Sequence, residues 1–313
     1  MTRADAPSTV VIGLCTFRRA SVAETMASLG RLAPRPDARI VVADNDEAPS
    51  ARGRVEAAAA GHPLPVTYLH APARNISVAR NAVLDAARAS GARFLAWIDD
   101  DETAEPGWLA ALLARQPETG AAAVLGPVHA VYGEGAPGWM RSGRVHDTLP
   151  VSGAGGQVLY GYTSNALMDL AHPALAGLWF DPARGRTGGE DTAFFQAVTA
   201  AGGEIAFAAG AVVAETVPPD RAALGWLLRR RFRTGQTRAS LFAPKAGPAR
   251  RVAAAGLSAA KVAACLGAAT LRAADPLGRN RALIRGALHL GALAELAGVG
   301  RVEPYGQSGE AGA

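Results

Sequence analysis

Four acidic residues stand in a row at the end of an apolar run, FLAWIDDDE, which covers residues 94–102. Like charges side by side repel one another, so a nearby cation has to offset the cost. Alternate side chains on an extended chain face the same side, so Asp99 and Asp101 are expected to converge and Asp100 to point away. Two convergent carboxylates suit Mg2+ or Mn2+, held together with phosphate oxygens. The alternative is that Asp101 or Thr103 caps a following helix.

Three further stretches place charged side chains where a ligand could use them. Arg80 lies near the start of a predicted helix, where it either faces solvent or indicates that an anion binds at that helix end. Asp191 follows two glycines and Glu190, so it is either a helix cap or a general base that takes a hydroxyl proton. Arg231 falls among leucines on an apolar helix face and needs a carboxylate or a diphosphate as its partner.

The elements that would hold these side chains alternate between predicted strands and predicted helices. Strands are predicted over 9–15, 38–44, 64–70, 94–98 and 121–127, with helices over 20–32, 51–60 and 76–90 and another opening at Pro106. This alternation favours a mostly parallel sheet, whose ligands bind at the carboxyl ends of the strands. The later segments are predicted as a mobile Gly-rich loop (132–156), a strand (204–214), a helix (220–242) and Ala/Gly-rich helices (248–300).

The composition is that of a folded, basic, arginine-rich chain. Of its 313 residues, 49% are hydrophobic and 19% charged, which allows a sizeable core and excludes wholesale disorder. The net charge of +5 is carried almost wholly by arginine, because Lys245 and Lys261 are the only lysines. Cys15 and Cys265 have no metal-ligand spacing, which fits a reducing compartment. No uncharged apolar stretch reaches the roughly 18 residues of a spanning helix, so none is expected.

Five short motifs occur in a fixed order along the chain: TFRR (16–19), ADND (43–46), ISVARN (76–81), WIDDDE (97–102) and GGED (188–191). In this order and spacing they resemble family 2 glycosyltransferases of the GT-A fold, above all the bacterial exopolysaccharide sugar transferases of the succinoglycan type. The resemblance covers residues 8–240. It implies an α/β fold of the Rossmann-like, nucleotide-sugar-binding kind, with a mostly parallel central sheet and a C-terminal helical extension.

The resemblance also implies which residues bind the nucleotide-sugar donor. Thr16, Phe17 and Arg18 are expected to line the nucleotide pocket, and Asp44 to contact the base or the ribose. Arg80 is expected near the nucleotide and its phosphates.

The acidic motifs are implied to carry the chemistry. Asp99 and Asp101 form the DxD pair that holds Mg2+ or Mn2+, and Asp100 belongs to the nucleotide-sugar site. Asp191 is the expected base for the acceptor hydroxyl, with Glu190 on the acceptor side. The implied reaction is transfer of one sugar with inversion, from a donor that is most often a UDP-sugar in such enzymes.

The implied organisation is a GT-A domain over 8–245, with a nucleotide-sugar-binding half (8–127) and an acceptor half (128–245), followed by a helical region (246–313). Arg231 falls where many relatives carry an Arg-rich helix and is assigned to donor binding. The expected partners are the donor, a lipid-linked or glycan acceptor and a peripheral membrane contact, with no nucleic acid. The expected location is the cytoplasm, at the inner face of the cell membrane.

Two departures from the family and one rival function bear on this interpretation. Many relatives have a histidine as an extra metal ligand where this chain offers Glu215 or Thr216. The QxxRW motif is lacking from the sequence, which favours transfer of a single sugar over processive synthesis. The rival is a haloacid-dehalogenase-like phosphatase, because Asp99, Asp101 and Thr103 also fit its DxDxT pattern, with Asp99 as nucleophile.

Overall fold

The computed structural model describes residues 9–242 and 247–300. In this part the strands are β1 (Val10–Thr16), β2 (Ala38–Asp44), β3 (Val66–His70), β4 (Phe94–Ile98), β5 (Glu102–Ala104), β6 (Ala123–Leu125), β7 (Val128–Tyr132), β8 (Val151–Ser152), β9 (Val158–Tyr160), β10 (Asn165–Asp169), β11 (Ile205–Phe207) and β12 (Val213–Val217). The helices are α1 (Val22–Leu29), α2 (Arg52–Ala59), α3 (Ile76–Ala89), α4 (Trp108–Thr119), α5 (Gly138–Gly143), α6 (Glu190–Ala200), α7 (Leu224–Phe242), α8 (Pro248–Leu271) and α9 (Pro276–Leu296).

The central sheet has seven strands in the order β11-β6-β10-β4-β1-β2-β3. All neighbours are parallel except β10, which runs antiparallel to both β4 and β6. The strands read as apolar runs because both faces of the sheet are covered. The α/β fold with a mostly parallel sheet is therefore confirmed, and β2 and β4 begin and end where the sequence predicts.

Two hydrophobic cores lie on opposite faces of this sheet, and alternate residues of β1 divide between them. Ile12 and Leu14 pack into one core and Val11 into the other. Gly13 lies between Val83 of α3 and Trp97 of β4, and a β-carbon there would lie 2.6 Å from Val83 Cγ1. The glycine thus lets α3 approach the sheet, which brings the start of that helix to the edge where the ligands of such sheets bind.

Two sequence predictions need correction in the second half of the fold. The strand predicted over 204–214 is two strands, β11 and β12, separated by a turn in which Ala211 N–H donates to Ala208 O at 3.1 Å. β12 leaves the central sheet and joins a three-stranded sheet in the order β5-β12-β7. The Gly-rich segment 132–156 is also more regular than predicted, since it contains α5, whose Met140 is fully buried, and β8.

The chain divides into two compact units. The described part of the first unit is residues 9–130 and 147–216, and that of the second is residues 131–146 and 217–300. Helix α7 groups with α8 and α9 in the second unit, and the predicted extent of the GT-A domain over 8–245 stays a prediction. The predicted boundary between 245 and 246 lies outside the described residues.

In the second unit, α9 packs against both α7 and α8. The contact between α7 and α9 is close because Gly235 and Gly291 each face a backbone carbonyl of the other helix. Helix α8 has 24 residues, and its most apolar 18-residue window has a mean hydropathy of 1.6 with 11% of its residues buried. Lys261 interrupts this window, so the sequence contains no uncharged run of that length, but α8 is long and apolar enough to cross a membrane by length and composition alone.

Candidate active site

The acidic motif after β4 is a tight turn rather than a continued strand. Glu102 N–H donates to Asp99 O at 3.2 Å, and Asp99 N–H donates back to Glu102 Oε2 at 3.0 Å. The expectation that Asp100 points away from its neighbours is wrong, because the turn buries Asp100 and sets it beside the same arginine as Asp101. The alternation of an extended chain does not hold once the backbone turns at Asp99.

Arg19 is that arginine, and it lies on the loop between β1 and α1. Its Nη1 donates to Asp101 Oδ2 and lies 3.6 Å from Asp100 Oδ1. The backbone at Arg19 is fixed in turn, because Arg54 of α2 donates to its carbonyl oxygen at 3.0 Å. The cation required by the run of acids is therefore supplied, in part, by this side chain.

A second arginine, Arg80, brings α3 to the start of α6. Asn75 caps α3 by accepting from Ser77 N–H at 3.1 Å, which leaves Arg80 one turn into the helix and buried. Its Nη1 donates to Oε1 of Glu190, the first residue of α6. The anion expected near this helix end is therefore present as a protein carboxylate. The pair leaves Glu190 Oε2 buried without a hydrogen-bond partner in the described structure.

Asp191 follows Glu190 in the first turn of α6, where Gly189 rather than Asp191 is the cap residue. Its Oδ1 accepts from Thr192 N–H at 2.6 Å. Burial and the charge of Glu190 raise the pKa of Asp191 to about 7, while Arg80 acts in the opposite direction. A carboxylate with this pKa can take a proton near neutral pH, which is what a general base requires.

The carboxylates of the β4 turn and of α6 form one electrostatic cluster. Burial raises the pKa of Asp99, and of Asp100 to about 7. Burial also raises the pKa of Glu102 well above its ordinary value, with the charge of Asp99 as the next contribution. Burial lowers the pKa of Arg80, but the charges of Glu190, Asp99 and Asp191 raise it by more. Excess negative charge of this kind favours the binding of a cation.

The donor atoms of this cluster fit a hard divalent ion whose remaining ligands come from a diphosphate. All are carboxylate oxygens, the ligand type that Mg2+ and Mn2+ prefer. Across residues 9–242 and 247–300, no three His, Cys, Asp or Glu side chains are close enough to hold an ion by themselves. Glu215 of β12 lies opposite Glu102 of β5. Glu215, which the sequence offers where many relatives have an extra metal ligand, is therefore next to the acidic turn.

The predicted nucleotide-pocket residues lie at the ends of β1 and β2. Thr16 is buried at the end of β1, and Phe17 follows it with the Arg18 guanidinium 5.1 Å from its ring. Arg18 makes a two-pronged ion pair with Asp46, with its Nε 2.8 Å from Asp46 Oδ2. This pair lowers the pKa of Asp46.

Asp44 is fully buried at the end of β2. Its carboxylate accepts three hydrogen bonds, from Asp46 N–H at 3.1 Å, Ala51 N–H at 2.8 Å and the Tyr68 hydroxyl at 2.8 Å. These bonds hold the loop between β2 and α2 in place. Contact of Asp44 with the base or the ribose stays a prediction.

The structure thus brings together Asp99, Asp100, Asp101, Arg80, Glu190 and Asp191 in the first unit. Arg231 lies in α7 of the second unit, and its role in donor binding stays a prediction. The sequence interpretation missed Arg19 and Glu102 as site residues, although both stand inside the motifs TFRR and WIDDDE. Membership of a motif was the only signal that could have singled them out.

A mostly parallel sheet with acidic residues after β4 and at the start of α6 defines a glycosyltransferase of the GT-A type. Residues 11–171 match glycosyl transferase family 2, and the chain belongs to that family. It is 47% identical over 297 residues to the succinoglycan biosynthesis protein ExoM of Rhizobium meliloti (strain 1021), covering 94% of this chain and 95% of that protein. The rival assignment to a phosphatase is therefore wrong.

Solved structures support the same fold. The mannosyltransferase PcManGT from Pyrobaculum calidifontis, in complex with GDP-Man and Mn2+, superposes with a TM-score of 0.63 at 17% identity, covering 94% of this chain and 88% of that one. TarS 1-349 of S. aureus, in complex with UDP-GlcNAc, gives 0.52 at 15% identity, with 96% and 99% covered. At these identities the likeness shows the fold alone.

Proposed function

We propose that this glycosyltransferase moves one sugar, with inversion, from a nucleoside-diphosphate sugar to an acceptor hydroxyl in exopolysaccharide synthesis. The observation that carries the proposal is the gathering of the β4-turn and α6 carboxylates around Arg80. In this cluster, a cation that binds the donor diphosphate would lie next to Asp191, a carboxylate that titrates near pH 7. The name of the relative ExoM supports the setting in polysaccharide synthesis.

The roles of the chain's own residues follow from this arrangement. Asp99 and Asp101 would hold Mg2+ or Mn2+, which supplies positive charge to offset the charge growing on the leaving diphosphate. Asp191 takes the proton of the acceptor hydroxyl as its oxygen attacks the anomeric carbon. Attack on the face opposite to the leaving group inverts that carbon. Glu190 is fixed by Arg80, so the start of α6 is held in position.

The donor class is proposed from the chemistry of the site and from the neighbouring structures. PcManGT is described in complex with GDP-Man and Mn2+, and TarS with UDP and with UDP-GlcNAc. We propose a UDP-sugar as donor and Mg2+ or Mn2+ as cofactor. Thr16, Phe17, Arg18 and Asp44 are the proposed contacts of the nucleotide, at the ends of β1 and β2.

The proposed acceptor is lipid-linked or a glycan, and we propose peripheral contact with the inner face of the cell membrane. Helix α8 supports this contact, since its large apolar residues Val252, Leu257, Leu266 and Leu271 are 71%, 57%, 52% and 88% exposed. Its charged residues are all basic, which suits an anionic lipid surface.

Donor binding and hydrolysis test the proposed reaction. The wild type would be assayed with UDP-, GDP-, dTDP- and CDP-sugars, with Mn2+ and with a chelator. One donor should be turned over in a metal-dependent manner, and Asp101→Asn should abolish the turnover. Asp85→Asn is the matched control, because Asp85 is exposed on α3 and lies outside the cluster. Metal-independent turnover, or full activity of Asp101→Asn, would refute the proposal.

Vesicle flotation tests the membrane contact. The full chain should float with vesicles that contain anionic phospholipid, and Ala260→Glu, on the exposed side of α8, should weaken this flotation. Ala57→Glu makes the same change on an exposed position of α2 and should leave flotation unchanged. Equal flotation of both variants would mean that α8 does not face the lipid.

A further inference from the structure

Arg19 and its neighbour Arg18 form ion pairs with different acidic residues. Arg18 is 43% exposed in its side chain and pairs with Asp46. Arg19 turns the other way, is 28% exposed in its side chain, and contacts Asp101 and Asp100 within the acidic turn. The Arg19 guanidinium therefore lies against a carboxylate to which the proposed reaction assigns a divalent ion.

The contact of Arg19 is strong enough to matter for ion binding. Asp100 is 9% exposed in its side chain and Asp101 23%, so the pairs are shielded from solvent far more than a surface ion pair. Burial lowers the pKa of Arg19, and the charges of Asp100 and Asp101 raise it by more, so the guanidinium keeps its charge. Any divalent ion at Asp101 must approach this fixed positive charge.

We propose that Arg19 competes with the divalent ion for Asp100 and Asp101, and that its guanidinium transfers to the donor diphosphate when ion and donor bind together. The inference rests on the proposed function, because it takes the diphosphate from the proposed donor. A guanidinium and a divalent ion repel each other across a shared carboxylate. A diphosphate offers the guanidinium a new bidentate partner at the same place.

This competition makes the ion and the nucleoside diphosphate bind cooperatively. The ion alone binds weakly, because it has to displace Arg19 into solvent. The diphosphate accepts both cations, so each ligand raises the affinity of the other. Arg19 would thus neutralise the acidic turn until the ion and the donor diphosphate bind together.

The test measures Mn2+ binding to the full chain, by electron paramagnetic resonance of free Mn2+, without any sugar donor. Arg19→Gln should bind Mn2+ alone about tenfold more tightly than the wild type, a typical size for such couplings. With saturating Mn2+, the same variant should bind UDP about tenfold more weakly. Arg19→Lys keeps the charge and should stay close to the wild type in Mn2+ affinity.

Two further variants secure the interpretation. Arg31→Gln removes a positive charge from the exposed turn after α1 and should leave both affinities unchanged. Arg19→Met keeps the length of the side chain and serves as the neutral variant if Arg19→Gln does not fold.

The proposal is overturned if the neutral variants bind Mn2+ no more tightly than the wild type, since Arg19 would then only brace the turn. It is also overturned if neither form binds Mn2+. A third outcome separates this proposal from the proposed function. If the wild type turns over no sugar donor but Arg19→Gln still binds Mn2+ more tightly, the transferase mechanism is refuted and the competition between Arg19 and the ion is supported.

Discussion

Asp191→Asn should remove the activity and, above neutral pH, stabilise the protein. The substitution keeps the shape of the side chain and an oxygen that can accept from Thr192 N–H, but it removes the ionisable group. Loss of the proposed general base should lower the transfer rate by about 10²–10⁴-fold. The gain in stability follows from the pKa of Asp191, which burial and Glu190 raise from 3.8 to about 7.

The sign of the stability effect follows from proton binding. Between pH 3.8 and about 7 the folded protein holds a proton on Asp191 that the unfolded chain has lost. The free energy of unfolding of the wild type therefore falls as the pH rises through this window. A shift of roughly three units corresponds to at most about 4 kcal/mol, and the partial exposure of Asp191 reduces this to about 2–4 kcal/mol above pH 7.

The measurement is urea unfolding of the wild type and Asp191→Asn at a series of pH values from 4 to 8, without added metal ion. The two proteins should be equally stable near pH 4 and should diverge as the pH rises. Asp85→Asn on the exposed side of α3 controls for the loss of one negative charge. A variant that is less stable than the wild type at pH 8, or a difference that does not change with pH, would refute the electrostatic argument.

Three further substitutions have expected outcomes. Glu190→Ala leaves Arg80 buried without its carboxylate, so the free energy of unfolding should fall by about 3–5 kcal/mol in urea titrations; a loss under 1 kcal/mol would mean that water reaches the arginine. Gly126→Ala drives a methyl group against Ala211 O and should lower the free energy of unfolding by about 1–3 kcal/mol, seen as a lower melting temperature; an unchanged melting temperature would contradict this packing. Tyr68→Phe removes one of three hydrogen bonds to the fully buried carboxylate of Asp44 and should lower the free energy of unfolding by about 0.5–1.5 kcal/mol in urea titrations. A variant as stable as the wild type, or more stable, would mean that this bond carries no net stability.

The first half of the sheet could be predicted closely because buried parallel strands are read from apolar runs alone. β1, β2 and β4 are such runs, whereas β3 lies at the edge of the sheet and is only partly buried. The later strands β11 and β12 could not be separated in this way. They are close in sequence, and only the turn at 208–211 sends the second one to another sheet.

The residue types of the site could be predicted, but their pairing could not. The motifs singled out Arg80, Glu190 and the acids after β4, since a run of like charges needs a cation and an arginine in the first turn of a helix opposes its dipole. Nothing local indicates that Arg80 binds Glu190, which lies 110 positions along the chain. The partner of Asp101 was missed for a similar reason, because Arg19 is 82 positions away and looks like any arginine of a basic loop.

The place of β10 in the central sheet constrains how the protein can be made on the ribosome. Strand β4 has β1 on one side and β10 on the other, and Ile98 of β4 pairs with Asn165 of β10. Until residues 165–169 have been synthesised, β4 is an edge strand of sequence FLAWI with unpaired backbone groups. A nascent chain that stalls before that point would expose an aggregation-prone edge, so holding by a chaperone would raise the yield of folded protein.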